Sequence, residues 1–139
     1  MKILTVRQPW AWLILNGKDI ENRTWASSYR GPILIQSSAK KASDHEQACR
    51  YAAARGVRVP EELQYGGIVG AAVLNRCCSS HSSPWFMGPV GWVLEHAQAL
   101  PFTPINGRLG LFDAPEWLLD QLRPHLSASL VKAQHQFDL

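Results

Sequence analysis

The stretch RQPWAWLILNGKDIENRTW, residues 7–25, sets three tryptophans and the apolar run WLIL among five charged side chains. A close-packed core takes up rings and rejects unpaired charge, and a solvated surface does the reverse. A chain that holds both so close together needs a place that suits both, and a lined pocket is such a place. Local signals say how the stretch folds. Pro9 suits the first turn of a helix, where its missing N–H is not needed, and Gly17 can close that helix in a left-handed conformation. The spacing predicts a helix over 9–17 with Trp10, Leu13 and Ile14 on one face. A strand over 19–25 then puts Glu21 and Arg23 on one side and Asn22 and Thr24 on the other, because side chains alternate with period two. Lys18, at the helix end, can reach over the Glu21 side.

Further along, Met1 to Val6 reads as a short strand, and PILIQSS (32–38) as another, reached by a turn at Tyr29-Arg30-Gly31. Ser43 and Glu46 form an S-x-x-E capping box that starts a helix running to Gly56. GGIVGAAVL and VGWVLEH are strand candidates on either side of the loop CCSSHSSPWFMGP, and RLGLF is a last strand after the turn at Asn106-Gly107. Pro115 opens a final helix, EWLLDQLRPHL. Strands gathered without regular βαβ alternation predict an α+β fold, a small mixed or antiparallel β-barrel flanked by three helices. Residues 19–38, 66–77 and 90–112 are expected to form one curved sheet, closed or nearly so, with the 9–17 helix at its mouth. A chain of 139 residues suits one domain. We place that domain at 1–126 and read 127–139 as a C-terminal tail.

Composition narrows the function. The longest uncharged apolar stretch, Pro84 to Leu94, falls short of the roughly 20 residues of a membrane span, so no membrane partner is expected. Only Ile3 to Val6 separate Lys2 from Arg7, too few for the apolar region of a secretory signal. The three cysteines are odd in number and lack CxxC spacing, which points away from a disulfide framework or zinc site and toward a reducing cytoplasm. The histidines are scattered, so no metal is expected, and no phosphate-loop or dinucleotide glycine pattern implies a cofactor. Charge is uneven: residues 1–58 carry ten Lys/Arg against four Asp/Glu, and residues 59–139 four against seven. One basic half suits a polyanion such as nucleic acid.

The opening stretch, with its G-K-x-x-E-x-R pattern, is followed in order by YRGPILIQSSAKK, GGIVGAAVL, GWVLEHAQALPF and GRLGLF. Over roughly residues 4 to 112 the chain resembles the ASCH domain family of the PUA-like β-barrel superfamily. The resemblance implies a small barrel with a cleft between barrel and helices, and RNA or nucleotide binding. It also implies a hydrolase as the alternative, since some members are amidohydrolases that deacetylate N4-acetylcytidine and ribonuclease activity is proposed for others. The deacetylating members are thought to use a lysine, a nearby threonine and a glutamate. Lys18 matches the lysine, but Glu21 stands at the threonine position and the loop CCSSHSSPWFMG holds no carboxylate.

Lys18, Glu21 and Arg23 converging in a cleft can grip a phosphate and hydrogen-bond a base edge; on a surface they would be a weak ion pair. Ser38 and Lys40, at the end of the second inner strand, suit a phosphate path. Trp10, beside Arg7 and Gln8, is the best stacking ring for an unpaired base, and Trp92 can serve as a stacker or as core. The ligand-binding set read from the sequence is Gln8, Trp10, Lys18, Glu21, Arg23, Ser38, Lys40 and Trp92. The function it supports is binding of single-stranded RNA or a nucleotide in a basic cleft. The alternative is a hydrolase, ribonuclease or amidohydrolase, with Lys18 and Glu21 as its catalytic pair.

Overall fold

An apolar run with no polar alternation, such as PILI, belongs in a strand covered on both faces. The computed structural model, which describes residues 1–137, places it in such a strand. The elements in chain order are β1 (Lys2–Val6), α1 (Trp10–Ile14), β2 (Ile20–Arg23), β3 (Gly31–Ser37), α2 (His45–Ala53), β4 (Gly67–Cys78), β5 (Val90–Pro104), β6 (Leu111–Asp113), α3 (Glu116–Leu122) and α4 (Ala128–Phe137), with a 3-10 turn at Arg123–His125. Every residue of β3 is buried. Ile33 and Ile35 pack on one side with Leu4, Trp92, Leu94 and the α1 residues Ala11 and Ile14. Leu34 packs on the other with Ile3, Leu118, Leu122 and Leu130.

The strands form one six-stranded sheet in the order β2-β5-β4-β3-β1-β6. β1 runs parallel to β3, and the other pairs are antiparallel. The fold is therefore α+β with a mixed sheet. The barrel expected from the sequence is not closed: among the described residues no ladder joins the edge strands β2 and β6. Register shifts interrupt the β3–β4 ladder once and the β4–β5 ladder three times, and such bulges bend strands. The Arg23 guanidinium at the end of β2 donates to the Thr5 carbonyl of β1 at 2.9 Å. A side chain, where a barrel would have a ladder, thus spans the seam between β2 and β1.

Two local readings change. The helix after β3 begins at His45 with Asp44 before it and no side-chain cap, so the Ser43 capping box does not form. The reason is a turn in which the Ala42 amide donates to the Gln8 carbonyl at 2.8 Å and the His45 amide to the Ala42 carbonyl at 3.2 Å. Among the described residues there are also four α-helices where three were expected. The fourth, α4, lies in the segment 127–139 read as a tail, and its Leu130 and Ala133 are buried in the cluster that covers Leu34. Residues 138 and 139 of that segment lie outside the described residues.

The glycine in GGIVGAAVL seats α1 on the sheet. A Cβ on Gly70 would lie 2.5 Å from the Gln98 carbonyl oxygen and against the Leu15 side chain. Overpacking of this kind is destabilising because neither backbone nor core can give way. Gly70→Ala is expected to lower stability by about 1–3 kcal/mol. Urea unfolding checks this, and an unchanged midpoint would show that Leu15 does not press on Gly70.

Candidate functional site

The site starts from the end of α1. Gly17 takes φ +115°, and the Lys18 amide turns back to the Leu13 carbonyl at 2.9 Å, the closing bond of a Schellman turn. The chain therefore reverses at Gly17 and feeds Lys18 inward. Its side chain is only 1% exposed, and its ammonium donates to the Ile20 carbonyl and, at 3.1 Å, to Glu21 Oε1. The same ammonium stands 5.2 Å from the centre of the Trp10 ring. From the other side the Arg23 Nε donates to Glu21 Oε2 at 3.0 Å. One buried carboxylate thus sits between two cations, and Arg23 goes on to Thr5. Burial pushes the Lys18 pKa below its ordinary 10.5, and the charge of Glu21 opposes that shift.

Beside this chain of charges lies a cavity of about 830 Å³. Its walls come from Thr5, Val6 and Arg7, from Trp10, from Glu21, Asn22 and Arg23, from Gln36, Ser38, Ala39 and Gly66, and from the connection 105–110 between β5 and β6. It occupies the seam that Arg23 crosses. Asn22 is tied outward, its Nδ2 donating to the Trp85 carbonyl and its Oδ1 accepting the Met87 and Gly88 amides. That fastens the 85–88 loop over β2. Arg7 and Arg108 are exposed at the rim. The cavity is nucleotide-sized, within the usual range of about 300–1,000 Å³ for small-molecule sites.

Of the residues singled out from the sequence, Trp10, Glu21, Arg23 and Ser38 line this cavity. Lys18 lies behind Glu21 and Trp10 and is not part of the wall. Lys40 is exposed beyond the Ser38–Ala39 edge, where its amide donates to Ser38 Oγ at 3.3 Å. Gln8 faces elsewhere: its Nε2 donates to the Gln64 carbonyl and its Oε1 accepts the Trp12 amide. Trp92 is 0% exposed, its indole N–H donates to the Trp25 carbonyl, and Trp25 meets its ring edge-on at 4.8 Å. Its ring is core, with no face open for stacking.

Sequence reasoning passed over Thr5, Gln36 and Arg108 as site residues, and used Arg7 only as a polar neighbour of Trp10. Gln36 did leave a signal, being the polar residue that breaks the run PILI within a strand. Arg108 left none, since it enters the wall only because the chain after β5 folds back over β1. Among the described residues no group of three or more His, Cys, Asp or Glu could hold a metal ion, and no helix is long and apolar enough to cross a membrane.

Comparison with known proteins follows the same segment. The model of the family described as ASCH domain matches residues 4–99. Activating signal cointegrator 1 from Homo sapiens is 37% identical over 82 residues, which is 55% of this chain and 14% of that protein. Activating signal cointegrator 1 from Mus musculus is 33% identical over 82 residues, with the same coverage. The match therefore spans about a seventh of those relatives.

The charge chain makes a prediction with a sign. Because the folded pKa of Lys18 lies below 10.5, the unfolded chain holds this proton to higher pH than the folded chain does. Stability therefore rises with pH between the folded value and 10.5. Glu21→Gln removes the partner that keeps the proton on Lys18, so the interval widens downward. At pH 7 the variant is expected to lose about 3–5 kcal/mol, the usual effect of stranding one member of a buried pair. The deficit should narrow as pH rises, and adding Lys18→Met should restore part of it. Urea unfolding from pH 7 to pH 10 measures this; a deficit independent of pH would show that Lys18 holds no buried charge.

Proposed function

The chain belongs to the ASCH domain family, and from that premise we propose that it binds single-stranded RNA or a nucleotide in the 830 Å³ cavity. One observation carries the reading: an indole and three guanidinium-bearing side chains, Trp10 with Arg7, Arg23 and Arg108, share the walls of one nucleotide-sized space. The ring offers a stacking surface for a base, and the arginines suit phosphate oxygens. Arg23 is already held by Glu21 and Thr5, so it fixes the shape of the wall. Arg7 and Arg108, exposed at the rim, are the groups suited to meet phosphate. Lys18 acts at one remove, holding Glu21 in place beneath Trp10.

A second reading, hydrolysis of RNA or of a modified nucleoside, is favoured by a buried lysine of lowered pKa paired with a carboxylate on a cavity wall. Such pairs cluster at catalytic sites. Here the lysine faces the carboxylate and the protein backbone, which makes Glu21 the group with access to a reactant. Incubating the purified protein with N4-acetylcytidine and with labelled RNA separates the readings, and the absence of turnover leaves binding alone.

Affinity for a fluorescently labelled single-stranded RNA is expected to fall as salt rises, since fewer released counterions drive binding at high salt. Arg7→Ala and Arg108→Ala should each weaken binding regardless of base sequence and flatten the salt dependence by about 0.7 per lost phosphate contact. Trp10→Ala should cost about 1–3 kcal/mol of affinity. Fluorescence anisotropy titrations check all three. Salt-independent binding, with the three variants like the parent, would overturn the proposal.

A further inference from the structure

The floor of the cavity holds an acceptor without a partner. Gln36 is 1% exposed; its Nε2 donates to the Ile105 carbonyl at 2.8 Å, and its Oε1 is buried with no hydrogen bond. The orientation of the amide follows from chemistry. A backbone carbonyl can only accept, so turning the amide over would set oxygen against oxygen at Ile105. Oε1 is thereby held toward Gly107 and Thr5. Gly107 lies directly over it: a Cβ there would be 2.7 Å from Gln36 Oε1 and 2.7 Å from Thr5 Oγ1. The Thr5 hydroxyl oxygen is itself used as an acceptor, by the Arg108 amide at 3.2 Å.

Glu21, also an acceptor, lines the same cavity. Two acceptors, Gln36 Oε1 and Glu21, thus belong to the cavity, Arg23 is already bonded to Glu21 and Thr5, and the exposed cations Arg7 and Arg108 stand at the rim. A buried acceptor left unpaired is costly, and a group that relieves it must bring an N–H or O–H. Over Gln36 the chain presents only the backbone of Gly107, since a Cβ there would clash with Gln36 Oε1 and Thr5. Leu109 beyond it is wholly exposed.

We propose that Gln36 Oε1 selects the base, so that the cavity takes a nucleotide whose base carries an exocyclic amine and rejects its oxo counterpart, with Gly107 lifting from the floor as the amine enters. The proposal rests on the nucleotide-binding reading above. Cytosine and adenine present an amine where uracil and hypoxanthine present a carbonyl oxygen, and that oxygen would face Gln36 Oε1 and the Glu21 carboxylate. The selection is electrostatic and needs no difference in size.

Isothermal titration of the protein with CMP, UMP, AMP and IMP tests it. CMP is expected to bind about tenfold or more tighter than UMP, and AMP than IMP, in each pair that binds. Gln36→Met, which keeps the length and removes the acceptor, should bring each pair within about twofold. Should Gln36→Met fail to fold, the comparison of paired nucleotides on the parent protein still decides. Equal binding within both pairs, or a preference for the oxo base, would overturn the proposal while leaving nucleotide binding intact. Discrimination that persists in Gln36→Met would overturn the role of Gln36. Failure of all four nucleotides to bind would overturn this proposal, and the RNA titrations above decide separately the reading it rests on.

Discussion

The carboxylate of Glu21 holds the molecule's seam together. It is met by Lys18 at 3.1 Å and by Arg23 at 3.0 Å, and Arg23 continues to the backbone of β1. These contacts connect the end of α1, the edge strand β2 and the far side of the sheet. A closed barrel would have made that connection with a ladder of amides and carbonyls. Here the edge strands are short, four residues in β2 and three in β6, and charged side chains bridge the gap. Taking such groups out of water is expensive unless every one is paired and hydrogen-bonded. The arrangement meets that condition: the Lys18 ammonium has a carbonyl, a carboxylate and the nearby face of an indole, and each carboxylate oxygen has a cation.

This answers the puzzle set by residues 7–25, where rings and charges crowd together. They are shared between two environments that touch. Leu13 and Ile14 go into the core, Trp25 braces the buried Trp92, and Trp10 stands between the Lys18 ammonium and the cavity. Lys18, Glu21 and Arg23 are spent on one another at and behind the cavity wall, and Asp19 accepts from Ser83 outside it. What then remains available for an anionic ligand lies at the rim, on Arg7 and on Arg108 from a distant part of the chain.

The parts legible in the sequence were those set by local chemistry. Gly17 announced the turn that sends Lys18 inward, and period two put Glu21 and Arg23 on one side of β2, where both reach the cavity. The G-K-x-x-E-x-R pattern and the pieces after it pointed to the family. The parts that stayed hidden depend on distant contacts. Nothing local to Lys18 says that its ammonium will be buried, because the burial comes from Trp10, Glu21 and the strand they pack against. Ser43 carried a sound capping pattern, yet a hydrogen bond from Ala42 to Gln8 moved the helix start. The register shifts between β4 and β5 stayed hidden too, because period-two patterning carries no record of an inserted residue. Trp92 was ambiguous for a related reason, since an indole reads alike in a core and in a stacking site until its neighbours are known.

The division of labour within the site follows from this geometry. A side chain whose hydrogen-bonding capacity is spent inside the protein cannot also be the main contact of a ligand without giving up a bond. Lys18 is in that position, and so in part is Arg23. The G-K-x-x-E-x-R stretch is therefore better understood as one electrostatic unit that sets the form and polarity of a wall than as a row of ligand contacts. The groups with capacity left are of two kinds: cationic donors at the rim, and acceptors inside, Glu21 and the Oε1 of Gln36. A ligand complementary to both has its negative charge outside and its hydrogen-bond donors inside, joined over a distance the cavity can span. A nucleotide, with phosphate at one end and base at the other, has that polarity.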